Sequence, residues 1–312
     1  MSAELEQLIA DYLRVRRSLG FKLEYTEPLL GQFAAYLRSV GADTVTVEHA
    51  LVFATAPAGA SRRWQALRLS AIRCFTRWAR TLDPAIEVPP ARLLPARPTR
   101  SAPYIYSDNE IGALIDAAGR LRPAIWAATM STLVALMAAT GIRTGEAIGL
   151  DLTDVDQHAA TLTVTGKYGK TRTLPVHATV LAGLARYLEQ RGRFRPAADC
   201  PALLVSIHGR RLPPSTAHPT FRRLCEQAGL TSASSACRPR LHDLRHTFAV
   251  STMLDTYRRG DDPAVALPIL STWLGHVRPS DTYWYLTGTT ELLEAATARF
   301  AQHHGNNERH PS

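Results

Sequence analysis

The chain has 312 residues, more than one hydrophobic core normally sustains, so two domains are expected. Its apolar fraction of 46% is ordinary for a folded soluble protein, which excludes a chain too polar to bury a core. Against 27 Asp and Glu stand 36 Lys and Arg, a formal net charge of +9 that suits a polyanionic partner without specifying a fold.

Nearly all of that positive charge is Arg, whose planar fork matches phosphate oxygens; Lys occurs only at Lys22, Lys167 and Lys170. Four cysteines, Cys74, Cys200, Cys225 and Cys237, show no CxxC spacing, so free thiols in a reducing compartment are expected. The opening MSAELEQLIADYL carries early acids and no apolar run, so no secretory leader is expected and the location reads as cytoplasmic. Ala124 to Ile142 runs nineteen residues without a charge, long enough to cross a bilayer. Thr129, Ser131, Thr132, Thr140 and many alanines make it read better as a helix buried on all sides, so no membrane partner is expected.

Apolar residues recur at helical spacing from Leu5 to Val40, with Leu5, Ile9, Tyr12 and Leu13 before Gly20 and Leu29, Phe33, Tyr36 and Leu37 before Gly41. The pattern predicts two helices with glycine stops. Thr46 to Thr55 is a third helix, and Ser61 to Thr81 a fourth in which Trp64, Leu67, Ile72, Phe75 and Trp78 alternate with Arg62, Arg63, Arg68, Arg73, Arg77 and Arg80. Such a helix can pack its aromatic face on a small bundle and offer the arginines to a phosphate backbone, the plain alternative being a solvated basic face. Six prolines between Asp83 and Pro103, with Arg92, Arg97 and Arg100 among them, mark a linker.

Beyond it, Ser107 and Glu110 form a capping box that opens a helix to about Gly119. The uncharged helix from Pro123 stops at Gly141, and GIRTGEAIGL then places Arg143 and Glu146 one turn apart. Thr161 to Thr165 and Thr171 to Val176 read as a hairpin whose tip carries Lys167 and Lys170. A helix near Thr179 to Gln190, a short strand at Leu203 to Ser206 and a helix near Pro219 to Ala228 lead to LHDLRHTFA and, after a stretch MLDTYRRGDDPAVALPIL read as a long loop, to LGHVRPSDTYWY.

A phosphodiester repels an incoming nucleophile, so its attack calls for cations and donors aimed at the charge that builds on phosphorus. Arg143 and Arg245 can supply these without a metal. A Tyr hydroxyl, with an ordinary pKa of about 10, needs polarisation before it attacks. His242 and His276 are suited to that hydrogen bonding, and Lys167 to protonating a leaving alkoxide. Arg143 in TGIRTGEA, Lys167 in VTGKYGKTRTLPV, His242 and Arg245 in HDLRH, His276 in LGH and Tyr285 nine residues later resemble the tyrosine recombinase, or phage integrase, family across roughly residues 107 to 300.

The resemblance implies a mainly α fold with a small antiparallel β-sheet in the catalytic domain, in a two-domain clamp on DNA. Residues 1–92 would be the helical core-binding domain, 93–104 the linker, 105–304 the catalytic domain with a C-terminal tail helix, and 305–312 a disordered tail. It implies a site-specific recombinase that forms a 3′-phosphotyrosyl link through Tyr285, with Glu146 orienting its neighbours and with no metal or cofactor. The expected partners are a double-stranded DNA recombination site and further copies of the chain, a tetramer on paired sites, in the cytoplasm at the nucleoid. Leu292, Leu293, Ala296 and Phe300 share a helical face that resembles the family's tail helix, docked on a neighbouring subunit or back on its own. Tyr283 is a rival nucleophile two positions before Tyr285. His242 and His246, four apart, lack the Glu of a zinc-binding HExxH pattern. A type IB topoisomerase shares the chemistry without strand exchange, and a non-cleaving DNA-binding accessory protein shares the scaffold; both remain alternatives.

Overall fold

The structure is a computed structural model that describes residues 2–56, 59–94, 103–166, 169–194, 200–230 and 237–276, together with positions 282, 292, 294 and 297. Lys167, Tyr283 and Tyr285 lie outside the described residues, as do residues 305–312 and most of the tail segment. Internal contacts divide the chain into two compact units, Met1–Arg100 and Ser101–Ser312.

Among the described residues the first unit holds four helices: α1 (Ser2–Ser18), α2 (Thr26–Ser39), α3 (Val47–Thr55) and α4 (Arg62–Ala79). Their apolar residues, set at helical spacing, meet in one core that includes Tyr12, Leu30, Phe33, Phe53, Leu69, Ile72 and Phe75. Thr46 and Ser61 cap α3 and α4 by accepting the His49 and Trp64 N–H groups at 3.1 and 3.3 Å. The apolar face of α4 is narrower than its aromatic pattern suggested: Leu69, Ile72 and Phe75 are buried, while Trp64 and Leu67 are exposed. Arg68 does not join the basic face. It is buried, donates to the Phe53 carbonyl at 3.0 Å, and lies over the Phe53 ring at 4.1 Å, where ring and carbonyl take the place of water. Arg62, Arg63, Arg77 and Arg80 face solvent, and half-buried Arg73 donates through Nε to the Pro89 carbonyl at 2.9 Å.

In the second unit α5 (Asp108–Gly119), α6 (Ala124–Thr140) and α7 (Thr144–Gly149) are followed by strands β1 (Val155–Asp156), β2 (Thr161–Thr165) and β3 (Thr171–Pro175). Helices α8 (Ala178–Phe194), α9 (Pro214–Gln227), α10 (Asp243–Arg259) and α11 (Pro263–Leu274) follow. The whole is mainly helical with a small antiparallel sheet in the order β1-β2-β3, as expected. The capping box of α5 is present: the Glu110 N–H donates to Ser107 Oγ at 3.3 Å and the Ser107 N–H to Glu110 Oε2 at 2.7 Å. Helix α6 is the centre of the unit, with Met130, Leu133, Val134 and Met137 all buried. No helix among the described residues is long and apolar enough to cross a membrane.

The β2–β3 hairpin pairs Leu162 with Leu174 and Val164 with Arg172. The two-residue β1 was too short to show an alternation. Leu203 to Ser206 is not a strand; two isolated bridges, Asp151 to Ala202 and Val205 to Arg211, replace the expected ladder. Side chains satisfy Val205, in the middle of the stretch: its N–H donates to Tyr187 Oη at 3.1 Å, and its carbonyl accepts from Thr129 Oγ1 at 2.9 Å. Helix α9 begins at Pro214 rather than near Pro219, because a proline in the first turn loses no hydrogen bond.

The stretch read as a long loop, Met253 to Leu270, is almost wholly helical. Gly260 ends α10 in the left-handed region at φ 77°, Asp262 caps α11 by accepting the Ala264 N–H at 2.9 Å, and Pro263 takes its first position. Met253, Leu267 and Leu270 are buried in a cluster that includes Leu292 of the tail segment, so at Leu292 the tail packs on its own chain.

Gly141, at φ 63°, ends α6, and a Cβ there would lie 2.4 Å from Phe248 Cδ1. Gly141→Ala therefore meets both backbone strain and a clash, and should lower unfolding stability by about 2 kcal/mol or more in urea titrations. A shift below about 0.5 kcal/mol would show that Phe248 yields freely.

Candidate active site

Two left-handed glycine corners shape the site. At the first, Gly141 turns the chain out of α6 so that Arg143 becomes the residue that caps α7. At the second, Gly275, with φ 65°, ends α11 and delivers His276. A helix end leaves its last carbonyls without partners, and here three consecutive ones receive guanidiniums from three different elements. Arg172 Nε of β3 donates to the Trp273 carbonyl at 2.7 Å, Arg245 Nη2 of α10 to Leu274 at 2.6 Å, and Arg143 Nη2 to Gly275 at 3.2 Å. Cations at this end also oppose the negative pole of the helix dipole. His276 is thus placed by the same contacts that gather the arginines.

Arg245 is fully buried. Its Nη1 donates to the Gly141 carbonyl at 2.7 Å, so one side chain spans both glycine corners, and its Nη2 lies 2.9 Å from His276 Nε2. A guanidinium has no acceptor, so His276 Nε2 accepts, and the ring proton sits on Nδ1, which donates to Thr282 Oγ1 at 2.8 Å. Thr282 is fully buried.

Glu146 takes four donations among the described residues. The Arg143 N–H and Nη1 bind it at 2.9 and 2.7 Å, and Arg172 Nη1 and Nη2 at 3.2 and 2.8 Å. Burial acts to raise its pKa, yet the hydrogen bonds from Arg172 and Arg143 and the charge of Arg172 outweigh it and bring it down to about 2. A carboxyl held below its usual 4.5 stabilises the fold fully above that pH, by about 3 kcal/mol, and loses the contribution as pH falls through its folded value. The stability difference between the wild type and Glu146→Gln should therefore be flat above about pH 5 and shrink between pH 4.5 and 2, measured by urea unfolding at each pH. A difference that does not change across that window would contradict the arrangement.

His242 stands at the start of α10, its ring edge-on to that of His246 with centroids 5.2 Å apart. Desolvation, then the charges of Arg245, Arg143 and Arg240, push its pKa down; because His242 is exposed, the direction rests on the guanidiniums. Burial, then the charges of His242, Arg240 and Arg245, bring His246 down to about 3. Both rings are uncharged at neutral pH.

Arg143, Glu146, Arg245 and His276 thus form one connected group, with His242 within the field of both arginines. Lys167 and Tyr285 lie outside the described residues. A Cβ on Gly166 would lie 3.4 Å from Glu146 Oε1, and Thr282 holds His276. Residues 106–291 match the phage integrase family. The chain belongs to that family.

Its relatives agree along almost the full length. The integrase/recombinase y4rB of Sinorhizobium fredii is 43% identical over 304 residues, covering 94% of this chain and 96% of that protein. The tyrosine recombinase XerC of a Mycobacterium species is 31% identical over 265 residues, covering 83% and 84%. Among solved structures, the XerH site-specific recombinase bound to a palindromic difH substrate superposes with a TM-score of 0.63 at 19% identity, covering 96% of this chain and 84% of that one, a likeness of fold.

Reading the sequence for integrase motifs missed Arg172, Trp273 and Thr282. Trp273 Nε1 donates to the Thr140 carbonyl at 2.8 Å, joining the ends of α6 and α11. Arg172 did leave a signal, since it shares a strand face with buried Leu174, and an Arg on the apolar side of a strand needs an anion to meet.

Proposed function

We propose that this member of the phage integrase family is a site-specific DNA recombinase that cuts and rejoins strands through Tyr285. The observation that carries the reading is the convergence of Arg143, Glu146, Arg245 and His276, from segments about a hundred residues apart, on one corner. In the sequence Tyr285 follows Thr282, the residue bonded to His276, by three positions. Lys167 is bonded directly to Gly166, against Glu146.

In this reading Arg143, the more exposed cation, receives the scissile phosphate, and Arg245 lies at the base of the pocket. Neutral His242 donates to a phosphoryl oxygen as charge builds, while His276, held by Thr282, accepts from Arg245 and fixes that cation. Tyr285 Oη attacks phosphorus and passes its proton to water; the bond to the 5′-oxygen breaks, and Lys167 protonates that oxygen, leaving a 3′-phosphotyrosyl link and a free 5′-hydroxyl. A 5′-hydroxyl from a partner strand reverses the step, and the link retains the energy of the original bond. The exposed arginines Arg62, Arg63, Arg77 and Arg80, with Arg73, extend the phosphate contacts in the first unit. Strand exchange calls for a tetramer on two paired sites.

The test offers the purified protein two differently labelled duplexes from the DNA flanking its own gene, and in parallel a supercoiled plasmid carrying one such site. Recombinant duplexes joined across the two labels are the expected result. Relaxation of the plasmid without exchange would favour a type IB topoisomerase, and tight binding without cleavage an accessory protein on this scaffold.

A further inference from the structure

We infer that Arg172 is a positioning residue that cancels the charge of Glu146 and so leaves Arg143 with a positive charge to offer; the inference rests on the assignment of Arg143 to the scissile phosphate. The geometry is that of one carboxylate between two guanidiniums. Glu146 and Arg172 are sheltered, their side chains 5% and 15% exposed, whereas the Arg143 side chain is 36% exposed. With only Glu146 opposite it, Arg143 would be a closed ion pair with little net field to offer a phosphate. Arg172 takes both carboxylate oxygens in a fork, so the group of three carries one net positive charge, borne by the member that reaches solvent.

The same side chain ties three pieces together. Its Nε holds the Trp273 carbonyl at 2.7 Å, fixing the corner from which His276 emerges. A Cβ on Gly275 would lie 2.8 Å from Arg172 Nη1, so the corner leaves room for the guanidinium by carrying glycine. A Cβ on Gly166 would lie 3.8 Å from that nitrogen, which sets the start of the lysine-bearing hairpin tip beside the fork. Lys at position 172 would keep the charge and lose the fork.

The experiment measures single-turnover formation of the covalent adduct on a nicked duplex that wild type cleaves, with DNA affinity and thermal unfolding measured alongside. Arg172→Gln should cut the cleavage rate by roughly 10- to 100-fold, the loss typical when a group that orients a charged neighbour is removed, and leave DNA affinity nearly unchanged. Arg172→Lys should recover most of that loss. The decisive variant is Arg172→Gln with Glu146→Gln, which removes the carboxylate together with its cancelling charge. It should cleave faster than Arg172→Gln alone; a merely structural Arg172 gives a double variant no better than the single. If Arg172→Gln fails to fold, the Lys and double variants carry the same comparison against wild type. A double variant as slow as the single, or a Lys variant as slow as Gln, overturns the inference. Arg143→Ala is the control: if it cleaves at the wild-type rate, the assignment of Arg143 falls, whereas an inactive Arg143→Ala beside a fully active Arg172→Gln defeats only the role given to Arg172.

Discussion

Tyr285→Phe is expected to abolish the covalent adduct with a nicked duplex while leaving DNA affinity within about threefold of wild type. The substitution removes one oxygen, and loss of a nucleophile costs many orders of magnitude in rate because nothing else can form the bond. Tyr283→Phe should leave the adduct in place. Thr282, buried and bonded to His276 at 2.8 Å, is followed directly by Tyr283, whereas two residues separate it from Tyr285. An adduct that survives Tyr285→Phe and disappears with Tyr283→Phe would reassign the nucleophile.

Arg245→Ala should lose both stability and cleavage. The Arg245 side chain is buried and spans the ends of α6 and α11 through the Gly141 and Leu274 carbonyls, with His276 on the same nitrogen. Truncation leaves those acceptors buried without donors, each at about 1–3 kcal/mol, so a total of about 3 kcal/mol or more is expected from urea unfolding. Cleavage should fall by about a thousandfold or more, because a transition-state cation and the seat of His276 go together. Arg245→Lys should regain part of the stability but little of the rate, since one ammonium cannot replace a fork that spans two carbonyls. Retention of wild-type cleavage by Arg245→Ala would remove Arg245 from the site.

Much of this was legible in the sequence where local chemistry alone decides structure. The Ser107 and Glu110 box, the glycine stop at Gly141 and the β2–β3 hairpin need only neighbours in the chain. The motif residues Arg143, Glu146, Arg245 and His276 were legible as types in order, and the structure supplies the contacts among them. What escaped depended on distant partners. Arg68 reads as one more cation on a basic helix until the Phe53 ring and carbonyl take it in. Arg172 reads as a strand residue until Glu146, twenty-six positions earlier, and Trp273, a hundred later, meet on it. Val205 lost its strand because Tyr187 and Thr129, both on helices, satisfy its backbone. Met253 to Leu270 failed for a local reason: the Gly260 to Pro263 turn, with Pro268 beyond it, has a loop's composition although two helices abut there.

The central claim is that the phosphate passes to Tyr285. The direct measurement is to trap the adduct on a nicked duplex, digest protein and DNA, and sequence the nucleotide-bearing peptide by mass spectrometry. The account predicts a single modified residue, Tyr285, joined to a 3′-phosphate. A nucleotide on any other residue, or a 5′-phosphate linkage, would contradict it.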